Sequence, residues 1–204
     1  MKFYHFPSPN PQKVSFALRE LNLECDVIEV DLTKGEQRKP DYLALNPLGL
    51  VPVLVDGDLT LWESHAIISY LGEKTGKLWP TSAAGRADAL RWLFFLSAHI
   101  SPPATDIVFN RIAVRRLGLA GDDDAIARGE KALPPRLAVL EAHLAKNQWM
   151  LGQSFSLVDC AYTPVLNALD KAQVTFSDYP NIQHYFDACR NRQGWKQTPK
   201  LPGL

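Results

Sequence analysis

The alternation of apolar and polar positions predicts strands over residues 2–7 and 25–32 in the first part of the chain. Between them, residues 11–22 have the three- and four-residue apolar spacing of an amphipathic helix. Asn10 is followed by Pro11, which fits an N-cap with proline at the first helical position. We therefore expect the helix to begin at that point.

A predicted hairpin follows a short helical or irregular segment over residues 33–46. Asp56-Gly57 stands between alternating apolar residues, which is the strongest short-range signal for a two-residue hairpin turn. Val51-Pro52 opens the first strand of this hairpin. Because proline fits poorly in a central strand, its position indicates a special backbone, for which a cis peptide bond is one explanation.

The helix pattern after the hairpin begins at Ser64 and runs to about Lys74. Its free N–H groups and the serine hydroxyl make a suitable binding site for a carboxylate. The resulting order, βαβ–α–ββα, matches a thioredoxin-like domain with a mixed sheet, here over residues 1–77.

The glycine, proline and small polar residues of 76–85 indicate a linker, and no convincing strand pattern follows them. Helices are predicted near residues 86–117, 123–146, 157–171 and 180–192, with a proline-rich tail after them. Pro102-Pro103 and Pro134-Pro135 are expected to break or kink two of these helices. The predicted fold class is α/β plus all-α, in which an all-helical bundle over 86–204 packs on the thioredoxin-like domain.

Two helix starts in the bundle have recognisable caps. Ser156 and Asp159 have the spacing of a capping box, and the acidic run from Asp122 to Asp124 fits a solvated helix N-terminus.

Composition restricts the possible partners. The chain has 204 residues, with 22 basic and 22 acidic side chains and a net charge of zero, and no concentrated basic block. Nucleic acid and anionic membranes are therefore not expected as main partners. No leader or long apolar run is evident, so the cytoplasm is the expected compartment. The three cysteines and five histidines lack ligand spacing, so we expect reduced thiols and no metal site.

Three segments together resemble the glutathione-binding half of cytosolic glutathione S-transferases. They are Leu45–Pro52, Asp56–Leu61 and Glu63–Ile67. Each is moderately specific, while their order and spacing are highly specific. The resemblance is strong to about residue 78 and looser beyond it. It implies an enzyme that takes glutathione as co-substrate, with a small hydrophobic electrophile as second substrate and a homodimeric assembly.

The resemblance makes Ser8 the candidate catalytic residue. Its segment is similar to the active-site loop of serine-type transferases of the theta and phi classes and to the Thr-Pro-Asn loop of nu-class bacterial relatives. Ser8 would donate a hydrogen bond to the glutathione thiolate. Asn10 would cap the helix, help to hold the thiolate, or do both. Tyr4 is a rival donor, but it lies inside the predicted strand, too early for the loop.

Further residues are assigned to glutathione by the same resemblance. The main chain of Val51, before Pro52, would bind the cysteinyl part, while Glu63 and Ser64 would bind the γ-glutamyl end. Gln37, beside Arg38 or Lys39, falls near the expected glycyl carboxylate. The sequence departs from the family pattern at Leu50 and Gln37, which predicts fewer side-chain contacts to glutathione and modest affinity. Leu48 replaces a common aromatic residue, which argues against an aromatic plug at the dimer interface.

The second substrate would lie between the domains against the first bundle helix. The candidates for this pocket are Trp92, Phe95, His99 and Phe109, with Phe94 and Asn110 nearby. An aromatic stripe at helical spacing is usually core, so at least half of these are expected to be packing residues.

The predicted function is a dimeric glutathione transferase that conjugates glutathione to a hydrophobic electrophile. One alternative is a glutathione-dependent disulfide reductase or peroxidase, which the Ser-Pro-Asn segment suggests. A second alternative is a non-catalytic interaction module with the same fold.

Overall fold

The computed structural model describes residues 1–116 and 118–199. Its first part contains a four-stranded mixed sheet of strand order β2-β1-β3-β4. The strands are β1 (Lys2–His5), β2 (Asp26–Glu29), β3 (Val53–Asp56) and β4 (Leu59–Trp62). The pair β1–β2 is parallel, and the pairs β1–β3 and β3–β4 are antiparallel. The predicted mixed sheet and the order βαβ–α–ββα are confirmed.

Helices pack on the sheet, and among the described residues they are the regular elements of the second part, which has one isolated bridge between Trp149 and Gly152 besides. In the first part these are α1 (Pro9–Glu20), the 3₁₀ turns Leu32–Lys34 and Glu36–Arg38, α2 (Pro40–Leu43) and α3 (Ser64–Thr75). In the second part they are α4 (Ala83–Phe95), α5 (Ser101–Val108), α6 (Val114–Arg116), α7 (Asp123–Leu144), α8 (Leu157–Lys171), α9 (Pro180–Asn191) and α10 (Gln193–Lys196). The predicted all-helical second part is confirmed. Residue 117, at the end of the first predicted bundle helix, and residues 200–204 of the tail lie outside the described residues.

The start of α1 differs from its prediction. Ser8, with φ −119° and ψ 165°, is the N-cap residue, and the backbone N–H of Gln12 donates to its carbonyl at 3.0 Å. Pro9 then fills the first helical position that the sequence analysis gave to Pro11, because its fixed φ suits that position. Asn10 is therefore inside the first turn of α1, and its predicted role as N-cap is wrong.

The hairpin turn is shifted by one residue from its predicted position. Asp56 pairs with Leu59 as the last residue of β3, so the two turn residues are Gly57 and Asp58. Gly57 has φ +59°, a conformation that glycine adopts without steric cost. The predicted hairpin exists, but its turn is not Asp56-Gly57.

The two diproline segments behave differently. Before Pro102-Pro103 the α-helical ladder is interrupted by a π-helical turn, Leu96–Ile100, as the proline pair predicts. At Pro134-Pro135, however, α7 continues as one helix, so the predicted break does not occur. Apolar side chains on both sides of this pair are buried in the core, which holds the helix together across it. They are Ile126, Leu133, Leu137, Leu140 and Leu144.

Helix α1 is packed between the sheet and the helical bundle. The Phe16 side chain is fully buried, with its ring centroid 5.9 Å from that of Phe155 and 5.6 Å from that of Trp195. At the end of α1, the carboxylate of Glu20 forms an ion pair with Arg192. The position of α1 is therefore fixed by both parts of the chain, which share one hydrophobic core.

The predicted capping box at the start of α8 is confirmed. The Asp159 side chain is fully buried and accepts hydrogen bonds from the backbone N–H groups of Met150 at 2.8 Å and Ser156 at 2.7 Å. The hydroxyls of Ser156 and Tyr185 donate to the same carboxylate at 2.8 and 3.0 Å. Burial raises the pKa of Asp159, and these four donors oppose that effect. The box thus joins α8, α9 and the segment before α8.

We expect Asp159→Ala to lower the free energy of unfolding by about 3 kcal/mol, because the substitution leaves buried donors without an acceptor. Urea denaturation at neutral pH measures this loss. Asp178→Ala, at an exposed position, is the control and is expected to stay within about 0.5 kcal/mol of the wild type. A loss equal to that of the control would contradict the structural role of Asp159.

Candidate active site

Three segments of the first part meet at one edge of the sheet. Tyr4 of β1 pairs with Val53 of β3, which pairs on its other side with Trp62 of β4. At this row β1 and β4 approach their ends, while β3 begins there. The loop after β1, the loop before β3 and the start of α3 therefore emerge at the same edge.

The first segment carries Ser8. This half-buried residue follows β1, and its backbone N–H donates to the carbonyl of Phe6 at 2.6 Å. Its hydroxyl makes no capping hydrogen bond to α1, although Ser8 occupies the N-cap position. The structure thus places the predicted catalytic serine at the N-terminus of α1 with a hydroxyl that the cap does not use.

The second segment contains a cis peptide bond between Val51 and Pro52, which agrees with the sequence analysis. Just before it, the carbonyl of Leu50 accepts hydrogen bonds from the Tyr42 hydroxyl and the Asn46 side-chain amide, both at 2.8 Å. These two bonds fix the loop that leads to Val51. They also occupy the Leu50 carbonyl, while the Leu50 side chain is exposed.

Tyr42 and Asn46 have structural roles at this site that the sequence analysis missed. Asn46 is only 2% exposed, and its Oδ1 also accepts from the backbone N–H of Leu48 at 3.1 Å. An asparagine that precedes a proline and a glycine is a common turn residue, which is the one signal that could have pointed to it.

Gly49 brings the predicted pair Gln37 and Arg38 against this loop. Its φ is +62°, and a Cβ atom at this position would lie 2.9 Å from the Gln37 carbonyl oxygen and 3.2 Å from an Arg38 guanidinium nitrogen. The close approach therefore depends on glycine. The Gln37 Oε1 is buried and has no hydrogen-bond partner among the described residues.

The third segment is the start of α3. Glu63 is its N-cap residue and has φ +72° and ψ 111°, a conformation that is sparsely populated for a residue with a side chain. Such strain concentrates at functional sites. Ser64 follows as the first helical residue and is 7% exposed. The first N–H groups of α3 have no partner within the helix, so they suit an anionic group.

A buried lysine connects the starts of α1 and α3. Lys13 is 2% exposed, its Nζ donates to Asn10 Oδ1 at 2.9 Å, and the same atom lies 3.2 Å from His65 Nε2. Burial lowers the pKa of Lys13 to about 7, an effect that the charge of Glu63 opposes. Burial and the charge of Lys13 together lower the pKa of His65 to about 2. His65 is therefore neutral, and its Nε2 lies within hydrogen-bond distance of the Lys13 amine.

The sequence analysis missed Lys13 and His65. The available signal was that Lys13 stands four residues before Ala17, on the edge of the apolar face of α1. A lysine at such an edge usually extends to solvent, which is why the pattern alone did not identify it.

Three of the predicted second-substrate residues follow one another in space, since the ring centroid of Trp92 lies 5.7 Å from that of Phe95, which in turn neighbours His99. Trp92 is 5% exposed, and its ring centroid lies 4.2 Å from that of His143 of α7, so it belongs to the core of the helical part. The ring centroids of Phe95 and His99 are 5.5 Å apart. Phe109 is 51% exposed in the π-helical turn after α5.

Two further candidates have different surroundings. The Asn110 side chain is buried, donates to the Asp106 carbonyl at 2.8 Å and accepts from the Asp122 backbone N–H at 3.0 Å, which gives it a structural role. Phe94 is 66% exposed.

The rival donor Tyr4 faces a different part of the molecule from α1. Its ring centroid lies 6.0 Å from that of Tyr42, in a small hydrophobic cluster beside α2. A shallow cleft of about 220 Å³ lies on this side of the sheet, and Lys39 is among its lining residues. This cleft is separate from the edge at which Ser8 and Ser64 emerge.

Comparisons with known proteins agree with this geometry. A family model for the glutathione S-transferase N-terminal domain matches residues 7–74, and the model for the C-terminal domain matches residues 123–188. Glutathione S-transferase 3 of Zea mays is 35% identical, over 97% of this chain and 92% of its own length. The disulfide-bond oxidoreductase YfcG of Escherichia coli is 31% identical, over 96% of this chain and 92% of its own length.

A solved structure also matches the whole fold. A glutathione transferase from Burkholderia graminis, crystallised with two glutathione molecules per subunit, superimposes with a TM-score of 0.88 and 31% identity. The match covers 97% of this chain and 86% of that one.

The chain belongs to the glutathione S-transferase family. It is a glutathione transferase of thioredoxin-like plus helical fold, and glutathione is its co-substrate. The predicted family, fold class and enzyme class are confirmed. Among the described helices, none is both long and apolar enough to span a membrane.

Lys13 predicts a specific dependence of stability on pH. Its pKa is lower in the folded chain, about 7, than the 10.5 of an unperturbed lysine, so the folded chain binds fewer protons between these values. The free energy of unfolding contributed by this group therefore rises with pH over that range. Relative to Lys13→Met, the wild type should gain up to about 1.4 kcal/mol per pH unit from pH 7.5 to 10.

Urea denaturation of both ligand-free proteins at several pH values measures this difference. Lys171→Met, which removes an exposed lysine, is the matched control and should show a constant difference from the wild type. A constant difference for Lys13→Met as well would show that the Lys13 amine is not perturbed by burial.

Proposed function

We propose that this transferase activates the glutathione thiol through the Ser8 hydroxyl and directs the thiolate at a hydrophobic electrophile. The observation that carries the proposal is the position of Ser8, whose hydroxyl is not used by the helix cap and which lies at the same sheet edge as Val51-Pro52 and Ser64. Residues 1–77 would bind glutathione, and residues 86–204 would shape the pocket for the electrophile.

The energy required for activation is within reach of this arrangement. A free thiol has a pKa of about 8.5, and lowering that value by about two units takes roughly 2.7 kcal/mol of selective thiolate stabilisation. One hydrogen bond to a charged group contributes about 1.5–3 kcal/mol, and a helix N-terminus adds about 0.3–1 kcal/mol. Ser8 and the start of α1 together supply both contributions.

The remaining groups at the sheet edge suit the rest of the tripeptide. The main chain of Val51 would pair with the cysteinyl part, and Ser64 with the first N–H groups of α3 would bind the γ-glutamyl carboxylate. Glu63 would face the γ-glutamyl ammonium. The turn that contains Gln37 and Arg38 contacts Gly49, which lies in the loop that leads to Val51. These two side chains would bind the glycyl carboxylate.

Ser8→Ala tests the activation step directly. We expect the bound thiol of the variant to ionise about two pH units higher than in the wild type and kcat/KM to fall about 100-fold at neutral pH, since the thiolate loses its hydrogen-bond donor. Ultraviolet difference titration of bound glutathione gives the thiol pKa, and conjugation of an aryl halide gives the rate.

Ser177→Ala is the matched control, because Ser177 is exposed in the loop before α9. It should retain wild-type values. If Ser8→Ala kept the wild-type thiol pKa and full activity, the assignment of Ser8 would be wrong.

Ser64→Ala tests the proposed γ-glutamyl site. We expect KM for glutathione to rise about 10-fold with a smaller change in kcat, since a ground-state hydrogen bond to a carboxylate is lost. Steady-state kinetics with varied glutathione provide both constants. An unchanged KM, or a fall in kcat alone, would argue against carboxylate binding at Ser64.

A second candidate function is glutathione-dependent reduction of disulfides. It is favoured by the similarity to YfcG, which is named a disulfide-bond oxidoreductase, and by the Ser8-Pro9-Asn10 segment. Efficient turnover of a glutathione-capped disulfide, with little conjugation of an aryl halide, would support this function over conjugation.

Phe95 and His99, whose rings lie close together on consecutive helical turns, would line the pocket for the second substrate. Phe109 would contribute from the turn after α5, while Trp92 would support the pocket from the core. A homodimer is proposed from the family resemblance alone.

A further inference from the structure

The Lys13 side chain is in an unusual environment for an ammonium group. It is 2% exposed, and no carboxylate among the described residues lies within the 4.0 Å limit for an ion pair with it. Lysine is almost never fully buried unless it is paired, because an isolated ammonium loses its hydration. Its two polar partners, Asn10 and neutral His65, offer only acceptor atoms without charge.

We propose that Lys13 is a positioning residue for the glutathione thiolate, whose ammonium holds the Asn10 amide and supplies a buried positive charge between the starts of α1 and α3. This inference rests on the proposed function, since it requires that glutathione is bound as a thiolate at this edge. It goes further by naming the Lys13 ammonium as the group that compensates the negative charge of the thiolate.

The position of Lys13 on α1 supports this role. Asn10 and Lys13 are three residues apart, so their side chains lie on the same face one turn from each other. The ammonium reaches back to Asn10, which stands two residues after Ser8 in the first turn of α1. A side chain that anchors Asn10 therefore also orders the turn from which Ser8 projects.

The charges around Lys13 favour an anionic ligand. The N-termini of α1 and α3 both carry partial positive charge, and Lys13 and His65 join these two ends. The titratable groups that face the ammonium are His65 and Glu63, both at the start of α3. The ion pair of Glu20 with Arg192, on the bundle side of α1, lies at the opposite end of that helix.

Ligand binding should change the protonation of this group. Because the pKa of Lys13 is about 7 in the ligand-free protein, a substantial fraction of the amine is neutral at neutral pH. The bound thiolate favours the protonated form, so the Lys13 amine should take up part of the proton that the glutathione thiol releases on binding. The same coupling lowers the pKa of the bound thiol.

Lys13→Met and Lys13→Arg test the proposal as a pair. Methionine keeps most of the unbranched stem without the charge, whereas arginine keeps a charge that does not titrate in the accessible range. Ultraviolet titration of bound glutathione should show the thiol pKa raised by at least one unit in Lys13→Met. In Lys13→Arg it should remain within about half a unit of the wild type or below it.

Binding of S-methylglutathione separates a charge effect from general damage to the site. This ligand has the same peptide but no ionisable thiol, so its affinity for Lys13→Met should stay within about threefold of the wild type. The proposal is overturned if the thiol pKa is unchanged in Lys13→Met, or if Lys13→Arg raises it as much as Lys13→Met does. A parallel loss of S-methylglutathione binding and thiolate would also overturn it, by showing a merely structural role.

Failure of the proposed function has a different signature. If the wild type binds glutathione without any thiolate below the pKa of the free thiol, Ser8 activation and the role of Lys13 are both wrong. If the wild type forms the thiolate and loses it in Ser8→Ala but not in Lys13→Met, only the role of Lys13 is wrong.

A measurement on the wild type alone covers the case in which Lys13→Met does not fold. Calorimetric titration with glutathione at pH 7.5, in buffers of different ionisation enthalpy, reports the net number of protons released, and ultraviolet absorbance reports the fraction of the thiol that ionises on binding. Because the Lys13 amine takes up part of the proton that the thiol loses, we expect the net release to be smaller than the ionised fraction, by an amount that decreases toward pH 6, where the amine is already protonated. S-methylglutathione, which forms no thiolate, is the control and should show no such uptake. A net release equal to the ionised fraction at pH 7.5 would overturn the proposed coupling.

Discussion

The pairing of Tyr4 with Val53, and of Val53 with Trp62, is the constraint on which the glutathione site depends. It requires that β1 and β4 run in the same direction and that β3 runs against them. Given this arrangement, a loop, a cis-proline turn and a helix N-terminus must come together at one edge. The chemistry of the site is therefore a consequence of strand direction before any particular side chain is considered.

Much of this could be predicted from the sequence, because the deciding signals are local. The hairpin and the start of α3 were predicted from turn and capping residues, and the family pattern supplied Ser8. The errors also have local causes. Pro9 and Pro11 are both compatible with a helix start, and only the backbone hydrogen bond from Gln12 to Ser8 decides between them.

What the sequence could not reveal depends on contacts between distant segments. Lys13 and His65 are 52 positions apart, and although His65 lies in the Glu63–Ile67 segment, nothing in either segment indicates that their side chains meet. The Tyr42 and Asn46 hydrogen bonds to the Leu50 carbonyl likewise depend on the path of an irregular loop. The aromatic stripe on α4 gave no means of separating Trp92, in the core, from Phe95 beside His99.

The buried lysine also shows how stability and function oppose each other in this fold. In the ligand-free protein an ammonium in this position disfavours the folded state, while in the complex it would meet an anion. Natural proteins retain destabilising groups of this kind where activity requires them. The strained backbone of Glu63, at the start of the neighbouring helix, is a second example at the same edge.

Helix α1 has a consequence for how this chain can be recombined. Its Phe16 packs against Phe155 and Trp195, and its Glu20 is paired with Arg192, so the helix that carries the serine turn is shared by both halves. Exchange of the helical half with that of a relative, as a route to new electrophile specificity, would have to preserve these three partners. Where they change, the serine turn would move with the new bundle, and a swap intended to alter the second substrate would alter thiol activation as well.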